Sequence, residues 1–432
     1  MEKSPNLITL PCVCHSSALA AREACEIIPQ DCEHFIKGIS TFINSSPKRT
    51  AIFRDFQMCF EDKPLSILKY AETRWLTRHK CAQRILEMWD TLGKFLMEQA
   101  SENVRSADNL LSIFQNPSTK AYLFFLEYAL DMFNKYNAKF QTSKSLIHEL
   151  QPSSIELLLW FVKKFMKPAL LKPKVFGHIL RTVNFSDRVN HLPLEETDFG
   201  FECKEYLEEQ INQKILSKID VDLIRENFLQ FYIKASEQIR DRLPIDDNFL
   251  YCVAVFNNKI ALFECDREST VLKVLQVNHR LGKLVDVNEM RSEWKSLYEV
   301  DLPTKVDWSK LSFDDMWIQI GLYSVDNKIR FPNLGSLLSV VRALPHSNAE
   351  AERVFSIILD AKTRKRNNMS IETLNSICVI KYALRAHNKT ARTMAVTREH
   401  LALMTAENVY RKSLSNQQNN LTLHSHDDEE EI

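Results

Sequence analysis

Glycine is what this chain most lacks. Seven glycines in 432 residues is under two per cent, against an average near 7 %. Sheets joined by tight turns need residues that accept positive φ, glycine above all. A chain this poor in glycine is pushed towards long helices, so the expected fold class is mainly α. The charge balance narrows the function classes. Lys+Arg and Asp+Glu stand at 56 each, so no global basic field is available to hold nucleic acid, and any such contact must come from local patches. The ten cysteines follow no framework of spacings, and no signal peptide is expected ahead of them. They read as reduced thiols in a cytosolic or nuclear protein. The longest apolar run, Leu157 to Val162, is a core helix segment and too short to cross a bilayer.

Apolar residues recur at helical spacing along most of the chain. Phe35, Ile36, Ile39, Phe42 and Ile43 form one stripe. A polar break at 45–49 separates it from Ile52, Phe53 and Phe56. From 80 to about 335 helix follows helix, with stripes such as Ile85, Met88, Trp89, Leu92, Leu96 and Tyr122, Phe125, Leu126, Ala129, Leu130, Phe133. Ser153 and Glu156 have capping-box spacing ahead of an apolar helix that should end near Pro168. Residues 172–200 read as an irregular connector, and helices resume over 203–219, 222–243 and 249–262. The stretch 301–315 reads as a loop whose acids, Asp307, Asp314 and Asp315, face solvent. No fixed period marks a solenoid. The last residues, with Asn416 to Asn420 and Asp427 to Glu431, read as a disordered acidic tail.

The organising stretch is Pro345-His346-Ser347-Asn348-Ala349-Glu350-Ala351-Glu352-Arg353-Val354-Phe355-Ser356. Ser347 is placed to cap a helix, with Glu350 reaching back to it. Ala351, Val354, Phe355, Ile358 and Leu359 then share a face. A basic connector, Lys362-Thr363-Arg364-Lys365-Arg366-Asn367-Asn368, leads to Ser370, a cap for a second helix striped with Leu374, Ile377, Cys378 and Tyr382. Two short amphipathic helices around a polar turn make an αα-hairpin. The basic cluster suits a phosphate contact or a nuclear-import signal, and equally a solvated turn.

Two further elements lie upstream. Residues 6–13 read as a short strand that runs into Cys12-Val13-Cys14-His15. Cys12 and His15 invite a metal reading, with Cys14, Cys25, Cys32 and His34 nearby, but no pair has the spacing of a structural zinc site. No metal and no cofactor is expected. Thr73-Arg74-Trp75 follows. A tryptophan can stack on an unstacked base and an arginine can clamp a phosphate. Equally, Trp75 can be a core aromatic and Arg74 a local ion-pair partner.

These three elements, in this order, resemble hAT-superfamily transposases. The string from Ser347 to Ser356 with the Lys365-Arg366-Asn367 turn resembles their C-terminal dimerisation region. Cys12 and His15 resemble their Cys-x-x-His element, and Arg74 with Trp75 their Thr-Arg-Trp element. Glu352 falls on the family's third catalytic acid, with Arg353 beside it. The resemblance implies a remnant of an RNase H-like core at 1–75 and an all-helical insertion at 76–333. It further implies a dimerisation region at 334–390, ahead of a helical end and tail at 391–432. It places self-association on Val354, Phe355, Ile358, Leu374, Ile377 and Tyr382, with Leu337, Leu338, Val340 and Val341 leading in. Arg74, Trp75, Lys362, Arg364, Lys365 and Arg366 become the possible DNA contacts. The family's two catalytic aspartates precede the Cys-x-x-His element. Here only Glu2 among acids precedes Cys12. The expectation is a domesticated, catalytically inactive, nuclear protein that pairs with itself or with related hAT-type chains, with weak or no DNA binding and no membrane. The alternative is a fragment of an active transposase whose aspartates lie outside this chain.

Overall fold

The structure is a computed structural model that describes residues 7–60, 63–69, 76–102, 104–171, 181–299, 307–308 and 310–405. Arg74 and Trp75, and the tail beyond 405, lie outside the described residues. Among those described are nineteen α-helices and two short strands, and the class is mainly α. The chain divides into two units, Met1–Glu350 and Ala351–Ile432.

The first unit opens with α1 (Val13–Cys25), α2 (Gln30–Asn44) and α3 (Pro47–Cys59). It continues through α4 (Leu76–Glu87), α5 (Trp89–Ser101), α6 (Arg105–Gln115), α7 (Pro117–Phe140) and α8 (Leu150–Phe165). After an irregular connector come α9 (Phe201–Asn212) and α10 (Lys218–Arg242). The two long helices have clear starts. Asn116 caps α7 ahead of Pro117 at its first position, and Ser217 with Asp220 forms a capping box on α10, each satisfying first-turn N–H groups. α1 packs on α10 and α7, and α8 packs on α10. At the centre Phe125 is fully buried. Its ring stacks on Phe228 at 4.1 Å and meets Phe231 and Tyr232 edge-on at 5.1 and 5.3 Å.

A second layer of the same unit holds α11 (Asn248–Val253), α12 (Asn258–Phe263), α13 (Arg267–Arg280), α14 (Val287–Glu299) and α15 (Phe313–Leu322). The strands β1 (Ser324–Val325) and β2 (Lys328–Ile329) follow, then α16 (Pro332–Ala343). The hairpin turns through Asp326 and Asn327 at positive φ, a job short polar side chains can do in place of glycine. Two of the scarce glycines are used where helices nearly touch: a Cβ on Gly335 of α16 would stand 3.4 Å from the Cα of Gly321 on α15. Asp314 ties the layer down, accepting from the Ser145 N–H at 2.9 Å and the Arg342 Nε at 2.8 Å.

Several expectations are corrected. Residues 7–12 form no strand, and α1 begins at Val13. A lone strand with no ladder partner leaves its backbone unpaired. Here the Leu7 carbonyl takes a hydrogen bond from Arg280 instead. Ser153 caps nothing, because α8 starts three residues earlier at Leu150. Its hydroxyl accepts from Lys139. Ser347 does accept from a first-turn N–H, that of Ala349 at 3.4 Å, and its hydroxyl also donates out of the segment, to the Phe140 carbonyl at 2.9 Å. The helix expected over 203–219 breaks after Asn212 and restarts at Lys218. Asp314 and Asp315 sit in the first turn of α15, where Asp314 is an ion-pair partner, not a solvated acid.

Buried histidines make this unit acid-sensitive. His148 is 5 % exposed, stacks on Phe313 at 3.9 Å, and its Nδ1 has no hydrogen-bond partner. Burial pushes its pKa down to about 4, against the opposing pull of Glu149. Burial also lowers His79, His191 and His346. A depressed folded-state pKa contributes stability above the unfolded value of 6.5, and that stability is lost as pH falls towards 4. Unfolding in urea at pH 7 and pH 4 is expected to show a loss on the order of 3 kcal/mol from His148 alone. His148→Leu should remove that part of the slope.

Candidate self-association interface

The second unit looks different at the level of single residues. Helix α17 (Ala349–Ala361) runs into it from the end of the first. A 3-10 turn at Arg364–Arg366 follows, then α18 (Ile371–Ala386) and α19 (Arg398–Leu403). Ser370 caps α18, accepting from the Thr373 N–H at 3.2 Å, as the sequence leads one to expect. These helices are as apolar as core helices, yet almost nothing on them is covered. Phe355 is 62 % exposed, Leu359 72 %, Val379 59 % and Ile380 55 %. No residue of α18 is buried. Even its stripe of Leu374, Ile377, Cys378 and Leu384 is only half covered.

Isolated helices of 13 and 16 residues are marginal in water unless an apolar face is packed. A helix apolar on more than one side belongs in an interior or an interface. Fully covering Phe355, Leu359, Val379 and Ile380 stabilises by about 1.5–3 kcal/mol each. That gross gain, on the order of 10 kcal/mol, is comparable with the ~4–15 kcal/mol of freedom lost when two bodies associate.

The sequence-predicted residues divide. Phe355 and Tyr382 are exposed, and Val354, Ile358, Leu374 and Ile377 are half-buried. All six lie on α17 and α18. Leu337, Leu338 and Val341 belong elsewhere: each is at most 1 % exposed in the core of the first unit, on α16, and is unavailable to a partner. Val379 and Ile380 were missed. They lie off the expected stripe, and only the breadth of the apolar surface around α18 points to them. Lys362, Arg364, Lys365 and Arg366 are all exposed in the turn between the helices, and none forms an ion pair among the described residues. Glu352 is exposed on α17. Cys12 and His15 stand at the start of α1, Cys12 half-buried as the residue before its first turn and His15 exposed. Among the described residues no group of three His, Cys, Asp or Glu side chains is placed to hold a metal ion. No described helix is long and apolar enough to cross a membrane.

Residues 305–384 match the family model of the hAT family C-terminal dimerisation region. That segment is similar to an hAT dimerisation region. The match supports an hAT-family, transposase-derived protein able to self-associate. The hAT region begins upstream of residue 334 and takes in α15, the hairpin and α16 as well as α17 and α18. Its first half is core, with Trp317, Ile320, Leu334 and Leu338 buried. Its second half carries the uncovered apolar surface.

Proposed function

We propose that the chain is a domesticated transposase-like protein that works by pairing with a second copy of itself, or with a related hAT-type chain, through α17 and α18. One observation carries this reading: the segment matched to a dimerisation region leaves Phe355, Leu359, Val379 and Ile380 in water. Sedimentation of the purified chain at tens of micromolar tests it. A dimer is expected, and a strictly monomeric protein would remove the reading.

On this reading the chain does not by itself cut or join DNA. Two-metal strand transfer needs several carboxylates to activate the attacking oxygen and stabilise the leaving one. Of the family's acids only Glu352 has a counterpart here. Transposon-end DNA incubated with the chain and Mg²⁺ or Mn²⁺ is expected to stay intact. Cleavage that Glu352→Gln abolishes would show that a site assembles after all. The exposed basic turn at 362–366 supports a nuclear location with at most weak, salt-sensitive DNA contact.

A further inference from the structure

Helices α4 and α9 both pack on α7, and the three together line an open groove of about 790 Å³ in the first unit. Phe124 of α7 and Tyr206 of α9 give it an aromatic surface, with ring centroids 5.7 Å apart. The Tyr206 ring is held in place by its hydroxyl, which donates to the Pro117 carbonyl at 3.0 Å. Around the rings stand Glu87, Glu127, Glu202, Glu205, Glu208 and Glu209. The only cation lining the groove is Lys120. Its ammonium lies over both rings, 5.7 Å from the centre of Phe124 and 5.5 Å from that of Tyr206. The rings therefore already engage one cation of this chain.

The carboxylates are poorly matched from within. Glu87 pairs with Arg84 and Glu208 with Lys204, each along its own helix. Glu202 and Glu205 form no ion pair among the described residues. A second observation lies against Glu127, the one carboxylate of the six that is not fully exposed. His79 is 8 % exposed, and neither of its ring nitrogens has a hydrogen-bond partner among the described residues. Its Nε2 points at the Glu127 Oε1 from 3.9 Å. It shares a face of α4 with Gln83 and Leu86, which line the groove. Burial lowers the His79 pKa, so at pH 7 the ring is neutral and supplies no counter-charge. Burial first, then Glu202, Asp131 and Glu87, raise the Glu127 carboxyl above its usual range. Buried polar groups normally have partners, and in this groove the missing partner is a cation.

We propose that the groove binds an extended, arginine-bearing basic segment of a partner protein. A cleft lined by one sign of charge concentrates the opposite sign. Glu202, Glu205 and Glu209 lie along one side of α9, over about 10 Å at 1.5 Å per residue. An extended chain sets side chains of one side about 7 Å apart, so two cations of such a segment fit that row. Arginine suits the site better than lysine. Its planar guanidinium can fork onto a carboxylate while stacking on Phe124 or Tyr206.

The test uses the full chain and a fluorescein-labelled octapeptide of alternating arginine and serine, followed by anisotropy. Saturable binding at or below about 100 μM is expected at ~50 mM salt, weakening as salt is raised. The lysine–serine peptide should bind several-fold more weakly. Glu202→Lys with Glu205→Lys should weaken the arginine peptide about tenfold. Both side chains are exposed, so circular dichroism should not change. Glu156→Lys with Glu289→Lys makes the same change of charge at exposed positions outside the groove and should leave the affinity nearly as it was. Hydrogen exchange on the unsubstituted chain should slow over 120–127 and 201–212 when the peptide is added, and it decides alone if a variant misfolds. No binding, equal losses in the two double variants, or protection elsewhere would overturn the proposal. Spermine, of equal charge, binding as tightly as the arginine peptide would overturn it in favour of a free polyamine.

Discussion

Phe355→Asp combined with Ile380→Asp is expected to turn a dimer into a monomer without unfolding the chain. Both side chains are more than half exposed in the single chain, so a carboxylate at either position meets water and leaves the intrachain packing alone. In a dimer each substitution would bury a charge against an apolar partner. An isolated buried charge costs several kcal/mol, as does the loss of a large side chain from the contact. Association should weaken by at least about a hundredfold, since each 1.4 kcal/mol is tenfold. The measurement pairs circular dichroism, which should not change, with sedimentation, which should. A double variant that still runs as a dimer would move the interface away from α17 and α18.

Phe125→Ala should produce the largest loss of stability in the first unit, about 3–5 kcal/mol in urea unfolding. The ring is fully buried and touches Phe228, Phe231, Tyr232 and Phe199. These residues come from two stretches of chain, at 199 and 228–232, that cannot both close on the void it leaves. The effect should not depend on protein concentration. Phe355→Ala should behave in the opposite way, with its loss growing as protein concentration rises, because only the dimer buries that ring. A concentration-dependent deficit in Phe125→Ala would mean that the core and the interface are not separate.

The helical class was legible in the scarcity of glycine and in the stripes. Phe35, Ile36, Ile39, Phe42 and Ile43 are all buried on α2, and Phe125, Leu126, Ala129, Leu130 and Phe133 on α7. Caps with ordinary local geometry were legible too, as at Ser370. Failures came where a distant partner outbid a local one. Ser153 and Glu156 have capping-box spacing, but the helix already begins at Leu150 and the Ser153 hydroxyl accepts from Lys139. Leu337 and Phe355 look alike in sequence, each an apolar residue on an amphipathic helix. One is core and the other uncovered, because periodicity reports that a face is apolar and not what lies against it. The Cys12–Asn348 contact, a backbone N–H donating to the cysteine sulfur at 3.4 Å, had no sequence signal at all, since it depends on how a chain of this length closes on itself.

That closure has a consequence for synthesis. Helix α1, made before α10, packs on it, and α10 begins at Lys218. At roughly 5–20 residues per second α10 leaves the ribosome some ten to forty seconds after α1. For that time the part of the α1 face that α10 covers stands open to the cell. It is a face of small residues, Ser17, Ala20, Ala21 and Ala24, with only Val13 and Cys25 at its ends. A helix that waits this long for its second partner therefore offers chaperones and neighbouring nascent chains little to grip, and the heavily aromatic helices α7 and α10 emerge closer to the moment at which they can pair.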